Sequence, residues 1–349
     1  MKLLVTGGAG FIGSAVVRRA VAQGIEVVNL DALTYSASLT NVASLADSPL
    51  YAFEHVNICD APAVRAVFAR HRPDVVMHLA AESHNDRAIE DPLSFVQTNV
   101  IGTGVLLEAA REHWRALPKA EQATFRFHHV STDEVFGALG EDGAFSETTP
   151  YDPNSPYSAS KASADHLVRA WSRTFGLPVV ITNCSNNYGP YQFPEKLIPT
   201  VISRALEGKT IPVYGKGLQV RDWLHVDDHA EALLLVLEKG RLGETYAIGG
   251  DATKPNIELV NILCRHLDAL APANGPHADK IAFVTDRPGH DFRYAIDASK
   301  LRDELGWRPR IALGDGLEDT VRWYVENRDW WQAIRDRGFE SERQGLVKA

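Results

Sequence analysis

The amino-acid sequence predicts a doubly wound α/β fold, in which helices cover both faces of a parallel sheet, together with a smaller C-terminal α/β lobe. Short apolar runs alternate with helix-period patterns from the first residue to about residue 183. Repetition of this kind indicates parallel strands joined by right-handed crossovers. After about residue 190, proline and glycine become frequent and the strand-like runs become short, which indicates the second lobe.

The elements of the first half follow one another in a regular order. Short continuous apolar runs are assigned as buried strands, and longer segments with apolar residues three or four apart are assigned as helices. The predicted strands cover 2–6, 25–30, 51–56, 74–79, 125–131 and 177–183. The predicted helices cover 11–23, 61–71, 93–114 and 157–174.

The second half divides less sharply. Strand-like pieces are predicted at 211–214 and 281–284, whereas 220–239 and 244–249 are predicted to rejoin the first lobe as a late helix and strand. The predicted domains are a first lobe over 1–190 with 220–250 rejoining it, a second lobe mainly over 191–330, and a C-terminal tail over 331–349. The charged part of that tail, from residue 335, is predicted as a surface helix.

Composition excludes several classes of protein. The chain has 349 residues, of which 45% are hydrophobic, and this excludes a disordered or fibrous protein. Its 36 Lys and Arg residues against 45 Asp and Glu residues give a net charge of −9, without the basic patch that a nucleic-acid partner requires. An anionic small molecule is compatible with this charge, because a few local donors can bind phosphate.

Cysteine content and hydropathy predict the compartment. Cys59, Cys184 and Cys264 are few and far apart, which excludes a disulfide framework and indicates a reducing environment. Glycines end the N-terminal apolar run too early for a signal peptide. Other apolar runs, such as 233–237, fall short of the roughly 20 residues that span a bilayer. We therefore expect a cytoplasmic protein without a membrane partner.

A glycine-rich turn follows the first predicted strand. Gly7, Gly10 and Gly13 form GxxGxxG at the start of the first helix, where glycine lets a pyrophosphate approach the helix N-terminal amides. Asp31 ends the second strand, where it can accept hydrogen bonds from ribose hydroxyls and would repel a 2′-phosphate. The pattern predicts a Rossmann-type site for NAD rather than NADP. The alternatives are simple turn chemistry for the glycines and, for Asp31, a cap on the next turn.

Tyr157 and Lys161 have YxxxK spacing on a predicted helix, so that both side chains lie on one face. The ammonium can lower the pKa of the phenol and bind the nicotinamide ribose. A tyrosinate so placed is the base that takes a hydroxyl proton as hydride leaves for NAD. This spacing is common by chance, and it gains weight because it follows the glycine turn in the expected order.

Thr132, Asp133 and Glu134 come directly after a predicted strand. Adjacent side chains on a continuing strand point to opposite faces, so the two carboxyl groups can act together only if the chain leaves the strand here. Under that condition one carboxylate can take a proton while the other carboxyl group gives one, as an elimination requires. A solvated loop with a helix cap is the alternative.

Long blocks of sequence beyond these motifs resemble one family, the nucleotide-sugar 4,6-dehydratases of the extended short-chain dehydrogenase/reductase superfamily, in their dTDP-glucose branch. The resemblance covers nearly the whole chain to about residue 325. The blocks are TGGAGFIGS (6–14), HLAAESHNDR (78–87), STDEVFG (131–137), SPYSASKA (155–162), CSNNYGPYQFPEKLIP (184–199), RDWLHVDDH (221–229) and DRPGHDFRYAID (286–297).

The resemblance implies a hydro-lyase that acts on dTDP-glucose with a tightly bound, recycled NAD. Tyr157 would deprotonate the 4-hydroxyl as hydride passes from carbon 4 to NAD, while Thr132 bonds that oxygen and Lys161 positions the ribose. Glu134 would then remove the carbon 5 proton, and Asp133 would protonate the departing carbon 6 hydroxyl. Return of the hydride to carbon 6 would give dTDP-4-keto-6-deoxyglucose.

Two sets of binding residues also follow from the resemblance. For NAD they are Gly7, Gly10, Phe11, Ile12, Gly13, Asp31, Ala32, Leu33, Thr34, Asn57, Ile58, Ala80, Ala81, Glu82, Ser83, Thr98, Tyr157, Lys161 and Asn187. For the substrate they are Ser83, Thr132, Asn186, Lys196, Leu197, Pro212, Val213, Tyr214, Arg221, Asn256, Asp286, Arg287, Pro288, Gly289 and His290. Arg221 and Lys196 can pair with a diphosphate, and surface salt bridges are the alternative for them.

Some positions depart from the family pattern. Asn57 stands where Asp is usual, and its amide can still accept the hydrogen bond there. Phe136 and His225 stand where Tyr is common, and neither change removes a proton-transfer group. Neither His128 with His129 nor the 227–229 segment has a third ligand at suitable spacing, so we expect no metal. Family members are typically homodimers packed through two first-lobe helices, for which 93–114 and 159–174 are the candidates here.

Three other functions are compatible with parts of this pattern. A nucleotide-sugar 4-epimerase shares the glycine turn and YxxxK but lacks the Asp-Glu pair, which is present here at 133–134. A 4,6-dehydratase for another nucleotide sugar would differ only in the pocket for the base. A non-catalytic NAD-binding regulator would not require Tyr157, Lys161, Asp133 and Glu134 together.

Overall fold

A computed structural model gives the fold of residues 1–286 and 288–336. The strands are β1 Lys2–Thr6, β2 Glu26–Asp31, β3 Tyr51–His55, β4 Val75–His78, β5 Arg126–Thr132, β6 Val179–Cys184, β7 Asn186–Tyr188, β8 Ile211–Tyr214, β9 Val220–His225, β10 Thr245–Ile248, β11 Thr253–Pro255 and β12 Ile281–Val284. The α-helices are α1 Phe11–Ala22, α2 Ala61–His71, α3 Asn85–Glu90, α4 Pro92–Phe95, α5 Thr103–Ala116, α6 Lys119–Thr124, α7 Pro156–Phe175, α8 Leu197–Leu206, α9 Val226–Lys239, α10 Asn256–Leu270, α11 Ser299–Leu305, α12 Leu313–Glu326 and α13 Arg328–Asp336. Short 3-10 helices cover Leu39–Leu45, Asp133–Phe136 and His277–Lys280, and a π-helical stretch covers Val96–Gly102.

The main sheet has the strand order β10-β6-β5-β4-β1-β2-β3, and every pair in it is parallel. Side chains of β1 show how the layers form. Leu3 and Val5 pack with α1 and α9 on one face, whereas Leu4 packs with α2, α5 and α7 on the other. Neighbouring strand residues point to opposite faces of the sheet. Since both sets of side chains pack against helices, both faces of the sheet are buried. The predicted doubly wound α/β class is confirmed.

The second lobe is built from two small sheets and a helical core. β7, β9 and β11 form one sheet, and β8 pairs with β12 in the other. Its core joins buried side chains of α8, α10, α12 and α13, including Ile202, Leu263, Val321 and Trp331. Residues 331–336, expected to begin the tail, thus lie in a helix packed on this lobe. The predicted tail from 337 onward lies outside the described residues.

The return to the first lobe begins later than expected. Strand 220–225 pairs within the small sheet, whereas α9 packs on α1 and β10 adds to the edge of the main sheet beside β6. We therefore propose a first lobe that ends with β6, before β7 joins the small sheet, and that is rejoined from Val226 to about residue 250. Strand pairing within the small sheet is the reason that 220–225 stays with the second lobe.

The helix predicted over 93–114 is interrupted. Pro92–Phe95 forms a single helical turn, Val96–Gly102 is π-helical, and a regular α-helix begins only at Thr103. The π-helical stretch places Asn99 in the interior, where its amide donates to the Glu82 carbonyl and to Ser160 Oγ, both at 2.9 Å. None of the helices within 1–286 and 288–336 is long and apolar enough to cross a membrane.

Candidate active site

The glycine turn between β1 and α1 is closely packed. A Cβ atom on Gly7 would lie 2.7 Å from the Ala80 amide nitrogen, and Gly7 has a φ of +74°. On Gly13 a Cβ would lie 2.1 Å from the Gly7 carbonyl oxygen. No side chain caps the N-terminus of α1, which begins after Gly10. The turn therefore accepts only glycine at these two positions and leaves helix amides directed at an anion.

Asp31 supports this turn from the end of β2. Its carboxylate accepts hydrogen bonds from the Ala9 amide at 2.9 Å and from the Leu33 amide at 2.8 Å. Burial raises the pKa of Asp31. The side chain thus caps the following turn, as the alternative reading has it, and also lines the cavity beside the glycine turn. The two roles are compatible, because each carboxylate oxygen can accept more than one hydrogen bond.

The first cavity, of about 300 Å³, runs from the glycine turn to the end of β5. It is lined by every residue predicted to bind NAD except Leu33. Leu33 does not line this cavity: it has a φ of +49°, and its amide donates to the Asp31 carboxylate. Its role toward NAD stays a prediction. Lining residues that the sequence did not single out include Ser36, Ala37, Ser131, Ser185, Gln192 and Phe193.

The chain leaves the strand at Thr132, as a joint role for the two carboxyl groups requires. Thr132 is the last residue of β5 and the N-cap of the 3-10 turn Asp133–Phe136. Its hydroxyl accepts a hydrogen bond from the Glu134 amide and donates one to Asp133 Oδ1, both at 3.3 Å. Asp133 and Glu134 both line the first cavity as a result.

The two neighbouring carboxyl groups have different environments. Asp133 is buried, and its Oδ2 has no hydrogen-bond partner. Burial raises the pKa of Asp133 well above its usual range, and the charges of Glu134 and Asp222 raise it further. Glu134 is partly exposed, and its Oε2 accepts a hydrogen bond from Asn85 Nδ2 at 3.0 Å. This is the split expected of a proton donor beside a proton acceptor.

Tyr157 and Lys161 lie on the first two turns of α7. Ser155 and Ser158 form a reciprocal cap there, and Pro156 occupies the first turn. Lys161 Nζ donates to the Val130 carbonyl at 2.9 Å. Burial raises the pKa of Tyr157 well above its usual value, and the charge of Glu134 raises it further. The expected lowering by Lys161 is wrong for this arrangement, because burial outweighs the charge of an ammonium group turned toward the strand.

A buried carboxylate supports α7 beneath the site. Asp165 accepts hydrogen bonds from His129 Nε2 at 3.0 Å and from the Tyr151 hydroxyl at 2.7 Å. The side-chain amide of Asn183 donates to Asp165 at 3.3 Å and to the Thr132 carbonyl at 3.0 Å. The pKa of Asp165 is lowered, because these donors and the charges around it outweigh burial. The helix with Tyr157 is thereby fixed to the strand end with Thr132.

A second cavity, of about 530 Å³, adjoins the first. Of the residues predicted to bind substrate, it is lined by Asn186, Lys196, Leu197, Pro212, Val213, Tyr214, Arg221, Asn256 and His290. The two cavities share six lining residues, namely Glu134, Asn186, Asn187, Gln192, Glu195 and Lys196. Glu134 therefore lies at the junction of the two spaces.

Several predicted substrate residues lie elsewhere. Ser83 and Thr132 line the first cavity and not the second. Asp286, Pro288 and Gly289 line neither cavity. The Asp286 carboxylate instead accepts hydrogen bonds from His290 Nδ1 and Gln219 Nε2, each at 2.6 Å, and so contacts a residue that lines the second cavity. Arg287 lies outside the described residues.

The second cavity carries polar atoms that have no partner within the protein. Within the part of the chain that the structure describes, these atoms include Asn85 Oδ1, Asn186 Oδ1, Trp223 Nε1 and Asn256 Oδ1. Buried polar groups are costly to leave unpaired, so such atoms point to a polar ligand. Arg221 is buried here over the ring of Tyr294 at 4.1 Å, which does not fit the alternative of a surface salt bridge.

Sequence reasoning missed Glu195, which lines both cavities. Its Oε1 accepts a hydrogen bond from the Tyr35 hydroxyl at 3.0 Å, and burial raises its pKa to about 7. Asn85 and Tyr294 were also missed. All three lie inside blocks already singled out, and their signal was a polar or aromatic residue beside a predicted site residue.

The histidines considered for a metal site lie in the core. His128 is buried, its Nε2 lies 3.0 Å from Thr182 Oγ1, and burial lowers its pKa to about 3. His229 Nδ1 lies 2.8 Å from Asn187 Oδ1, beside the first cavity. Across residues 1–286 and 288–336, no group of three or more His, Cys, Asp or Glu side chains is arranged to hold a metal ion.

A family model and two curated relatives that match this chain describe nucleotide-sugar 4,6-dehydratases. The family model described as GDP-mannose 4,6 dehydratase matches residues 4–320. The dTDP-glucose 4,6-dehydratase of Neisseria meningitidis serogroup B is 57% identical over 353 residues, which cover 99% of each chain. That of Xanthomonas campestris pv. campestris strain B100 is 58% identical over 346 residues, again with 99% of each chain covered.

A solved structure also matches across the whole fold. The dTDP-glucose 4,6-dehydratase of Streptomyces venezuelae, determined with NAD bound, is 46% identical with a TM-score of 0.88, and the match covers 96% of this chain and 100% of that one. The chain therefore belongs to the nucleotide-sugar dehydratase family that the matching family model describes, together with the dTDP-glucose 4,6-dehydratases.

Proposed function

We propose that this chain is a dTDP-glucose 4,6-dehydratase, which converts dTDP-glucose to dTDP-4-keto-6-deoxyglucose with loss of water. One observation carries the proposal: Glu134 lies at the junction of the two cavities beside a buried Asp133 whose pKa is raised. A sugar held at that junction would meet a base and an acid together. The identity of 57% to the Neisseria meningitidis dehydratase supports the choice of substrate.

The first cavity fits NAD. Its glycine turn leaves the amides of α1 for a pyrophosphate, and Asp31 offers a carboxylate that suits ribose hydroxyls and repels a 2′-phosphate. The lining residues named above would bind it, and Leu33 would act through Asp31. NAD, when bound, would supply the hydride acceptor for carbon 4, the hydride donor for carbon 6 and one positive charge.

Oxidation at carbon 4 needs a base for the hydroxyl proton. Tyr157 is the group for this role, because its ring lines the first cavity next to Thr132 and Glu134. Thr132, held by the 3-10 turn, would donate a hydrogen bond to the oxygen that becomes the ketone. Tyr157 would take this proton in its phenolate form. Lys161, buried on the same helix face, would hold the ribose, and its charge together with that of bound NAD would oppose the effect of burial and favour the phenolate.

Elimination of water follows from the unequal carboxyl groups. The ketone at carbon 4 acidifies the carbon 5 proton, and Glu134 would take it. Asp133, kept protonated by burial, would give its proton to the carbon 6 hydroxyl, so that the C–O bond breaks and water leaves. Glu134, which then carries the carbon 5 proton, is placed to return it when carbon 6 is reduced.

Substrate recognition would come from the second lobe. Asn186, Asn256 and Trp223 present buried polar atoms without protein partners, and Lys196 and Arg221 bring positive charge to a cavity on an acidic protein. Positive side chains of this kind pair with a diphosphate. Lys196 Nζ donates to the Ser83 carbonyl at 2.8 Å, which also ties the substrate side to the cofactor side.

We further propose a homodimer. Leu93, Val96 and Ile101 are exposed on one stretch of chain that leads into α5, with Leu93 74% exposed. Exposed apolar residues at helical spacing suit a partner surface, and this stretch is one of the two helices that the family resemblance implicates. We also propose a cytoplasmic location, in keeping with three free cysteines.

Mass spectrometry of the product tests the function. Purified protein given dTDP-glucose without added NAD is expected to yield a sugar nucleotide lighter by one water, because the cofactor would copurify and be recycled. Unchanged mass, with or without conversion to a galactosyl isomer, would contradict the proposal, and the isomer would favour an epimerase. Loss of water from another nucleotide sugar at a higher kcat/KM would correct the substrate alone.

A further inference from the structure

The C-terminal helix of the second lobe reaches back to the glycine turn. Trp330, on α13, donates its indole N–H to Asn41 Oδ1 at 3.0 Å, across 289 positions of sequence. Asn41 lies in the 3-10 helix that follows the end of β2 and is buried. α13 itself is anchored on the second lobe by Trp331, whose indole N–H donates to the Tyr324 carbonyl at 3.0 Å.

The side chain of Asn41 also contacts the glycine turn. Its side-chain amide donates to the Ala9 carbonyl at 2.9 Å, and Ala9 lies inside the glycine turn. One orientation of the amide satisfies both partners, since the oxygen takes the indole N–H while the nitrogen gives a proton to the carbonyl. The Ala9 amide in turn donates to Asp31 at 2.9 Å. A chain of direct hydrogen bonds thus joins α13 to the turn and to Asp31.

The segment between β2 and Asn41 lies between α13 and the first cavity. Thr34, Ser36 and Ala37 line that cavity. The same residues line a third cavity, of about 510 Å³, which Trp330 closes on its far side together with Ile334. Trp330 holds Asn41, the residue at the end of this segment, and so limits how far the segment can move away from the first cavity.

We propose that Trp330 is a positioning residue for cofactor retention: through Asn41 it holds the glycine turn and the 34–37 segment against the bound dinucleotide. We call this chain of contacts the Trp330–Asn41 relay. The proposal rests on the proposed function, because that function places NAD in the first cavity. It explains how a helix remote from the reacting groups would keep a recycled cofactor in place.

The test is the release rate of NAD. Protein loaded with radiolabelled NAD is diluted into excess unlabelled NAD, and the retained label is followed with time. The rings of Trp330 and Trp323 pack with their centroids 5.2 Å apart. Trp330→Phe keeps an aromatic ring at this contact and removes the indole N–H that donates to Asn41. It is expected to release NAD roughly five to ten times faster, as the loss of one net hydrogen bond implies.

Trp323→Phe is the matched control, because Trp323 belongs to the same aromatic cluster and has no hydrogen bond to Asn41 among the described contacts. Its release rate is expected within twofold of the wild type. Asn41→Ala removes both bonds of the relay and should release NAD at least as fast as Trp330→Phe. Adding Trp330→Phe to Asn41→Ala should then change nothing, because the two residues act in series.

The outcomes separate this inference from the function itself. Release from Trp330→Phe at the wild-type rate, or equal acceleration by Trp323→Phe, would overturn the relay while leaving the function intact. Full additivity in the double variant would overturn it as well. Failure of the wild-type protein to hold labelled NAD under any loading condition would instead contradict the proposed function, and the relay with it.

Discussion

The two cavities that meet at Glu134 are built in different ways. The first is lined where parallel strands of one sheet end, and at its glycine turn it presents backbone amides. The second is lined by side chains from α3, α8, α10 and the short strands β8 and β9. Several of those side chains keep buried polar atoms unpaired, as Asn186 and Asn256 do.

This difference separates two kinds of recognition. Backbone amides at a glycine turn bind any pyrophosphate, so a shared cofactor needs no special side chains there. A sugar nucleotide has to be distinguished from similar ones, and buried side-chain partners reject a ligand that leaves them unpaired. We therefore expect substitutions in the first cavity to affect cofactor content, and those in the second to affect KM.

The largest expected effect lies at the junction. Glu134→Gln keeps the shape of the side chain and its contact with Asn85 but removes the base. We expect kcat to fall by about a thousandfold, within the range for a lost general base, while reduced cofactor accumulates, visible by its absorbance. Tyr157→Phe should lose activity without accumulating reduced cofactor. Normal turnover by the Glu134 variant would contradict the assignment of the base.

In the first cavity, Gly13→Ala tests the backbone character of the site. Its Cβ would lie 2.1 Å from the Gly7 carbonyl oxygen, so the turn must shift. We expect the NAD content of the purified protein to fall roughly tenfold or more, as a loss of about 1.4 kcal/mol or greater implies. Gly104→Ala, where a Cβ meets nothing within 4 Å, is the control. Retention of NAD by the Gly13 variant would contradict the claim that the backbone of the glycine turn binds the cofactor.

In the second cavity, Asn256→Ala removes an unpaired buried acceptor. Loss of one polar contact with the substrate should raise KM for dTDP-glucose about tenfold, with NAD content unchanged. Asn261→Ala, on the same helix, removes only a bond to the Ile257 carbonyl and should leave KM as it is. A fall in NAD content of the Asn256 variant would contradict the assignment of cofactor binding to the first cavity and substrate binding to the second.

The smallest expected effect concerns stability at Asp133. Its folded pKa is raised by burial, so its contribution to stability is present at low pH and is lost as pH rises through that pKa. Asp133→Asn should therefore raise the free energy of unfolding at neutral pH, while activity is lost. Denaturant titrations should show this gain shrink near pH 4. A gain in the free energy of unfolding that does not change with pH would show that ionisation of Asp133 is not its cause.

The first lobe could be predicted closely from the sequence because its signals are local. β1 and α2 have the bounds expected from their apolar patterns, and the glycine turn lies where the motif places it. The predicted 93–114 helix differs because Val96–Gly102 is π-helical. Its apolar periodicity does not reveal that Asn99 must turn inward to hold Glu82 and Ser160.

The second cavity could not be derived in the same way. Its walls come from residues as far apart in sequence as Asn85 and Tyr294, and no periodicity predicts which side chains converge. The family resemblance supplied most of the predicted lining residues. It also named Asp286, which does not line the cavity but is hydrogen-bonded to His290, which does. The direction of the pKa of Tyr157 was missed for a related reason, since it depends on burial, which sequence spacing does not give.

The central claim is that one retained NAD serves both cavities, taking a hydride at carbon 4 and returning it to carbon 6 of the same sugar. The direct measurement is the fate of deuterium in dTDP-glucose labelled at carbon 4, turned over without added NAD. Our account predicts a product that carries the deuterium at carbon 6, with none transferred to unlabelled substrate mixed into the same reaction. Loss of the label to solvent, or its appearance in products of the unlabelled sugar, would contradict the claim.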